Sequence, residues 1–211
     1  MPDLHTVRSK AQSWILVSVL LILSGCATMG KNECLNAQWQ SVGYEDGIKG
    51  YTGVRIGEYR KSCAQYNVTP DLKSYNNGRR QGLQEWCTPG NGFYQGTRGL
   101  VYNGVCPKEL ESDFQRAMIE GKAIYDYRRR VNNHKAELSR LHKELDTIEE
   151  DIAVMEAELI SDQVRPRRRR LLLDDIRAAE KDRDALFYEI SDAEAVLGEM
   201  EDTLKKMQVM R

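Results

Sequence analysis

Cysteine is the residue type in this chain with the most chemistry open to it, and the five cysteines divide into one and four. Cys26 closes an apolar run near the start, whereas Cys34, Cys63, Cys87 and Cys106 lie in a stretch crowded with glycine and aromatic residues. Zinc sites usually bring two cysteines within two to four residues of each other. No such pair occurs here, so no metal or other cofactor is expected. Acid–base chemistry has little to draw on, because residues 32–127 contain no histidine and Ser41 has no evident base. Glu45 and Asp46 are adjacent, so on a helix they point about 100° apart and read as a solvated face. No catalytic residue is expected and the chain is read as non-enzymatic; an enzyme with an unrecognised site is the more remote alternative.

Cys26 is explained by what precedes it. Arg8 and Lys10 form a short basic segment, followed by an apolar run from Trp14 to Leu23. That run is about ten residues long, whereas a bilayer span needs about 20, so it fits the apolar region of a cleaved signal peptide. The run ends in Leu23-Ser24-Gly25-Cys26, which resembles the lipobox read by bacterial lipoprotein signal peptidase. The resemblance implies removal of residues 1–25 and acylation of the Cys26 thiol. Mature bacterial lipoproteins carry three acyl chains, palmitate among them. One chain binds a membrane only marginally, so three make a lasting anchor. Ala27 follows Cys26, and in a Gram-negative host the absence of aspartate there implies the periplasmic face of the outer membrane.

With Cys26 set aside, four cysteines remain. In an oxidising compartment an even set reads as two disulfides, with three possible connectivities. Within this stretch, glycines and small residues recur three or four apart beside aromatics: Trp39, Gly43, Gly47 and Gly50; Tyr75, Gly78, Gly82 and Trp86; Phe114, Ala117, Gly121 and Tyr125. Such spacing puts small residues on one helix face, where a second backbone can approach closely. A helix is expected to start near Asp71, with Thr69 as its cap and Pro70 in its first turn, and to end near Trp86-Cys87. Asn91-Gly92 through Gly104 reads as a loop or hairpin. The runs Trp39 to Gly47, Tyr59 to Cys63, Tyr75 to Cys87, and Gly96 to Cys106-Pro107 resemble domain of unknown function 2799, a family of small bacterial lipoproteins. The resemblance covers about residues 33–127. It implies the localisation and a cysteine framework, and no activity. The aromatics, Trp39 and Trp86 above all, read mainly as packing residues, with stacking on sugars as the alternative.

Beyond this stretch the composition changes. From Leu138 onward there is one glycine, Gly198, and Glu, Asp, Lys, Arg, Leu and Ala dominate. One unbroken three–four series runs Ile124, Tyr127, Val131, His134, Leu138, Leu141, Leu145, Ile148, Ile152, Met155, Leu159. A second runs Leu172, Ile176, Ala179, Arg183, Leu186, Ile190, Ala193, Leu197, Met200, Leu204, Met207. Both are coiled-coil seams. Pro166 separates them, and proline breaks a helix interior. The two series mirror each other about residues 165–166, which predicts an antiparallel hairpin with a reach of roughly 45–55 Å. Pairing of the seams between chains is the alternative. Arg183, a polar seam residue, is expected to snorkel or to pair with Glu144 or Asp151. At the tip, Arg165 clusters with Arg167, Arg168, Arg169 and Arg170. A soluble turn and helix start is one reading of them. The four consecutive arginines oppose the helix macrodipole, so helix stability does not explain them, and the other reading is a docking site for something anionic: an acidic protein face, phospholipid head groups or cell-wall carboxylates.

The expected organisation is therefore a removed signal peptide (1–25), a tether (26–32), a small disulfide-bonded helical and loop domain (33–127) and a coiled-coil hairpin (128–211). The fold class is mainly α. The expected role is a lipid-anchored, non-catalytic structural or interaction protein of the envelope, reaching an envelope protein partner, or itself, through the hairpin. Peptidoglycan binding through exposed aromatics is the alternative. The near-balanced charge, formally −1, gives no sign of a nucleic-acid partner.

Overall fold

The computed structural model describes residues 29–209; the signal-peptide and Cys26 expectations lie outside them. Among the described residues there are seven α-helices: α1 (Lys31–Leu35), α2 (Trp39–Ile48), α3 (Ile56–Cys63), α4 (Leu72–Trp86), α5 (Pro89–Thr97), α6 (Lys108–Leu159) and α7 (Pro166–Val209). No strand occurs among them, and none is long and apolar enough to cross a membrane. The chain forms two compact units, one running to Thr88 and including Tyr102–Glu111, the other comprising Pro89–Val101 and the residues from Ser112 on.

In the first unit, α2 packs against α4 through paired glycines. A Cβ on Gly43 would overlap the Tyr75 carbonyl oxygen, and one on Gly47 the Arg79 carbonyl. Reciprocally, a Cβ on Gly78 would overlap the Gln40 carbonyl, and one on Gly82 the Tyr44 carbonyl. Backbone therefore lies directly on backbone at these positions, with no room for a side chain between the two helices. The cap of α4 is Asp71, not Thr69: its Oδ1 accepts from the N–H groups of Lys73 and Ser74 at 2.9 and 3.2 Å. Aspartate outranks threonine at such caps, and Pro70 stands before the helix instead of inside it. Two disulfides close this unit, Cys34–Cys63 and Cys87–Cys106, with Cα atoms 5.5 and 5.7 Å apart. Of the three connectivities, the sequential one is present.

In the second unit, residues 89–97 are helix α5, which overturns the loop or hairpin expected from Asn91 to Gly104 for its first part; residues 98–104 are non-helical, as expected. The glycines serve packing instead of turning. A Cβ on Gly92 would overlap the Phe114 carbonyl, one on Gly96 the Met118 carbonyl, and one on Gly121 the Phe93 carbonyl. Close helix–helix contact outweighs the propensity cost of about 0.5–1 kcal/mol per glycine.

The two glycine-packed pairs are copies of one motif. In α2 the spacing is Gly43, Gly47, Gly50; in α5 it is Gly92, Gly96, Gly99. The partner helices read Tyr75, Gly78, Gly82, Trp86 and Phe114, Ala117, Gly121, Tyr125. Both first helices end alike. The Gly50 N–H donates to Gly47 O and the Tyr51 N–H to Asp46 O; the Gly99 N–H donates to Gly96 O and the Leu100 N–H to Gln95 O. Gly50 and Gly99 are left-handed, at φ 69° and 72°, a conformation that side-chain-bearing residues rarely adopt. Each lies against the last ring of its motif, Trp86 and Tyr125 respectively. In each copy one cysteine precedes the first helix in sequence and its partner precedes the second.

The hairpin forms within one chain. Leu141, Leu186 and Ile190 make a buried cluster, with Leu138, Leu145, Ile148 and Ala193 packed around it. Every apolar seam position read from the two series is buried or half-buried. α6 ends at Leu159 and α7 begins with Pro166 in its first position, where a missing N–H costs nothing. His134 Nε2 lies 3.0 Å from Ala193 O. A carbonyl only accepts, so Nε2 carries the proton. Arg183 pairs with neighbouring Asp184 at 2.8 Å, not with Glu144 or Asp151, because the adjacent carboxylate is reached without crossing the seam.

Candidate functional site

Three places could hold function: a buried carboxylate, an open groove, and the hairpin tip.

The carboxylate is Asp46. It is 4% exposed, which corrects its reading as part of a solvated face; Glu45 alone takes that place, 3.5 Å from Lys49. Asp46 shares a helix face with Gly43, Gly47 and Gly50, and that face is packed. Tyr75 donates its hydroxyl to Oδ2 at 2.7 Å, and Tyr59 donates across both oxygens at 3.0 Å. Arg55 Nε stands 3.3 Å from Oδ1 and donates to the Tyr59 hydroxyl oxygen at 3.0 Å. Burial, and next the bond to Asp46, hold the Tyr75 phenol well above its ordinary value. Tyr59 is raised too, chiefly by burial. The cluster is thus a closed network: one charge, one counter-charge and two neutral phenols. Its oxygens are committed to the protein. In the second copy Gln95 stands for Asp46 and Phe114 for Tyr75, so carboxylate and phenol are replaced together.

The groove holds about 610 Å³ and is lined by Trp39, Tyr44, Glu45, Ser41, Ser74 and three glutamines, Gln38, Gln40 and Gln81. Trp39 is half-buried. It packs on the cluster of Ile56, Tyr59 and Tyr75, with its ring 6.3 Å from that of Tyr59. Tyr44 donates to Glu85 at 2.7 Å, and Gln40 donates to Gln81 at 3.3 Å. Trp86, the other tryptophan read as a stacking residue, is half-buried with its indole over Gly50. Trp39 lines the groove and Trp86 does not.

At the tip the five arginines divide by role. Arg168 grips Glu158 through two parallel bonds of 2.8 and 2.7 Å, and holds that carboxyl below its ordinary value. Arg169 donates to the Ser161 carbonyl at 3.0 Å. These two tie the turn to the end of α6, a local role that the sequence pattern did not suggest. Arg165, Arg167 and Arg170 are exposed and have no ion-pair partner among the described residues. Among those residues no cluster of His, Cys, Asp and Glu is arranged to hold a metal ion.

Against known families, residues 38–123 match the profile described as Protein of unknown function (DUF2799). This stretch is similar to that family, and the match covers less than half of the chain. No curated protein and no solved structure matches the chain. The matched stretch contains the Asp46 cluster, the groove and both motif copies except Tyr125, the last ring of the second. The hairpin from residue 124 onward is an extension beyond it.

Proposed function

We propose that this protein is a lipid-anchored envelope lipoprotein with a non-catalytic role, holding a partner through its C-terminal hairpin. The observation that carries the reading is the tip. A helix pair whose apolar seam is satisfied along its length ends in three exposed arginines with no ion-pair partner among the described residues. The sequence around Cys26 supports attachment to the periplasmic face of the outer membrane. The commitment of Asp46 to Tyr59, Tyr75 and Arg55 supports a structural rather than a catalytic use of the best-buried carboxylate.

Fractionation of cells expressing the chain tests the anchor. The protein is expected in the membrane fraction, with an N-terminal peptide carrying acyl mass on Cys26, and Cys26→Ala is expected to move it to the soluble fraction. An unmodified N-terminus would overturn the anchor. Replacement of Arg165, Arg167 and Arg170 by glutamine tests the tip: it is expected to abolish the chain's envelope contacts while leaving it folded and anchored.

A second reading is favoured by the groove. Amide and hydroxyl groups beside one tryptophan suit the N-acetylated sugars of peptidoglycan. Retention on purified sacculi, lost on Gln40→Ala with Gln81→Ala, would support it; no retention would dismiss it.

A further inference from the structure

We propose that the hairpin tip docks on an anionic phospholipid surface. This deepens the reading of the tip as the contact element, and rests on that reading. From Ile160 to Leu173 the chain carries five arginines against one acidic residue, Asp162, a net of +4. Two of those charges are engaged in tying the turn, as Arg168 does with Glu158 and Arg169 with Ser161. The other three are not. At 100° per residue, with the seam fixed by Leu172 and Ile176, Arg167 and Arg170 fall on the outward face of α7. Leu171 and Leu173 flank them. These leucines are 51% and 41% exposed, and Ile160, across the turn, is 81% exposed.

The same end of the hairpin therefore presents free guanidiniums and uncovered aliphatic side chains together. An acidic protein face or a carboxylate-bearing wall polymer would match the charge but leave Ile160, Leu171 and Leu173 in water. A bilayer surface takes both, with guanidiniums on the lipid phosphates and aliphatic side chains in the boundary between head groups and acyl chains. Arginine suits this role because its planar fork binds phosphate oxygens in pairs.

The test uses the chain from residue 26 with Cys26→Ser, so that acyl chains do not contribute, and vesicles of phosphatidylcholine with or without about one-third phosphatidylglycerol. Co-sedimentation is expected with the anionic vesicles and not with the neutral ones, and it should weaken as salt is raised. Each free arginine is expected to contribute roughly fivefold, so the Arg165→Gln, Arg167→Gln, Arg170→Gln triple variant should bind about a hundredfold more weakly. Leu171→Ser with Leu173→Ser should weaken binding without changing its salt dependence. Circular dichroism checks that the helices persist in each variant. Equal binding to both vesicle types, or an unchanged triple variant, would overturn the proposal. So would tight binding to a soluble polyaspartate with none to vesicles, which would assign the tip to an acidic protein. Acylation of Cys26 is read separately by mass, so failure of the anchor and failure of the tip are distinguishable.

Discussion

At Asp46, one buried charge organises three side chains from three different segments. Asp46→Ala should cost about 2–4 kcal/mol, since it strips a partner from Arg55 and from two buried hydroxyls; chemical denaturation measures it. The second motif copy suggests a milder route. Asp46→Gln with Tyr75→Phe reproduces the Gln95 and Phe114 pair, and should cost less than the sum of the single changes by about 1 kcal/mol, the coupling expected of residues in one network. The two phenols also give a pH signature. Their values are raised in the folded chain, so the fold favours the neutral form. The associated stability is complete below about pH 10, the ordinary phenol value, and is lost as pH rises through the raised values. Of the ten tyrosines, Tyr59 and Tyr75 should ionise only as the unit unfolds, seen as a late absorbance step in an alkaline titration. Asp46 was read as solvated, although its place three residues from Gly43 and beside Gly47 puts it on the face those glycines pack. Its partners were not legible, because Tyr59 and Tyr75 are 13 and 29 residues away and nothing local in the sequence brings them to it.

Helices here are positioned by what glycine leaves out. The spacing of Gly43, Gly47, Gly78, Gly82 and Gly121 predicted close helix contact, and the structure has it. The same signal stood at Gly92, Gly96 and Gly99, but the density of glycine there imitates a loop, and local propensity cannot see the partner helix that makes the contact worthwhile. Setting the two copies side by side removes the ambiguity, since α5 repeats the spacing and the end of α2. Two substitutions separate packing from propensity. Gly78→Ala places a methyl group against the Gln40 carbonyl and should destabilise by about 1–3 kcal/mol. Gly198→Ala, in an exposed turn of α7 with open space around the added carbon, should stabilise by about 0.5–1 kcal/mol. Thermal denaturation of the two variants measures the contrast; shifts of the same sign would refute the packing role assigned to the paired glycines. The hairpin was the most legible element, because an unbroken three–four series and a single proline specify two helices and the point where they turn.

For the whole molecule, covalent links matter as much as packing. The disulfides span 29 and 19 residues, and each should contribute roughly 3–4 kcal/mol by restricting the unfolded chain. Reduction should therefore lower the unfolding temperature of the first unit while leaving the seam of the hairpin, which contains no cysteine, to melt as before. The number of disulfides was readable once Cys26 was set aside. Their connectivity was not, because the spacing alone is compatible with all three pairings. In the same way the arginines were visible as a cluster, but only the fold shows that Arg168 and Arg169 fasten the turn while Arg165, Arg167 and Arg170 are exposed without an ion-pair partner among the described residues. The exposed set is the proposed contact point of a protein proposed to be tethered at Cys26. Photo-crosslinking in intact cells, with the reactive residue at position 167 or, as a control, at exposed position 188 midway along α7, tests that role. Strong adducts are expected from position 167, lost when Arg165 and Arg170 become glutamine, and few from position 188. Equal or absent adducts at position 167, in a chain shown to be folded and membrane-bound, would contradict it.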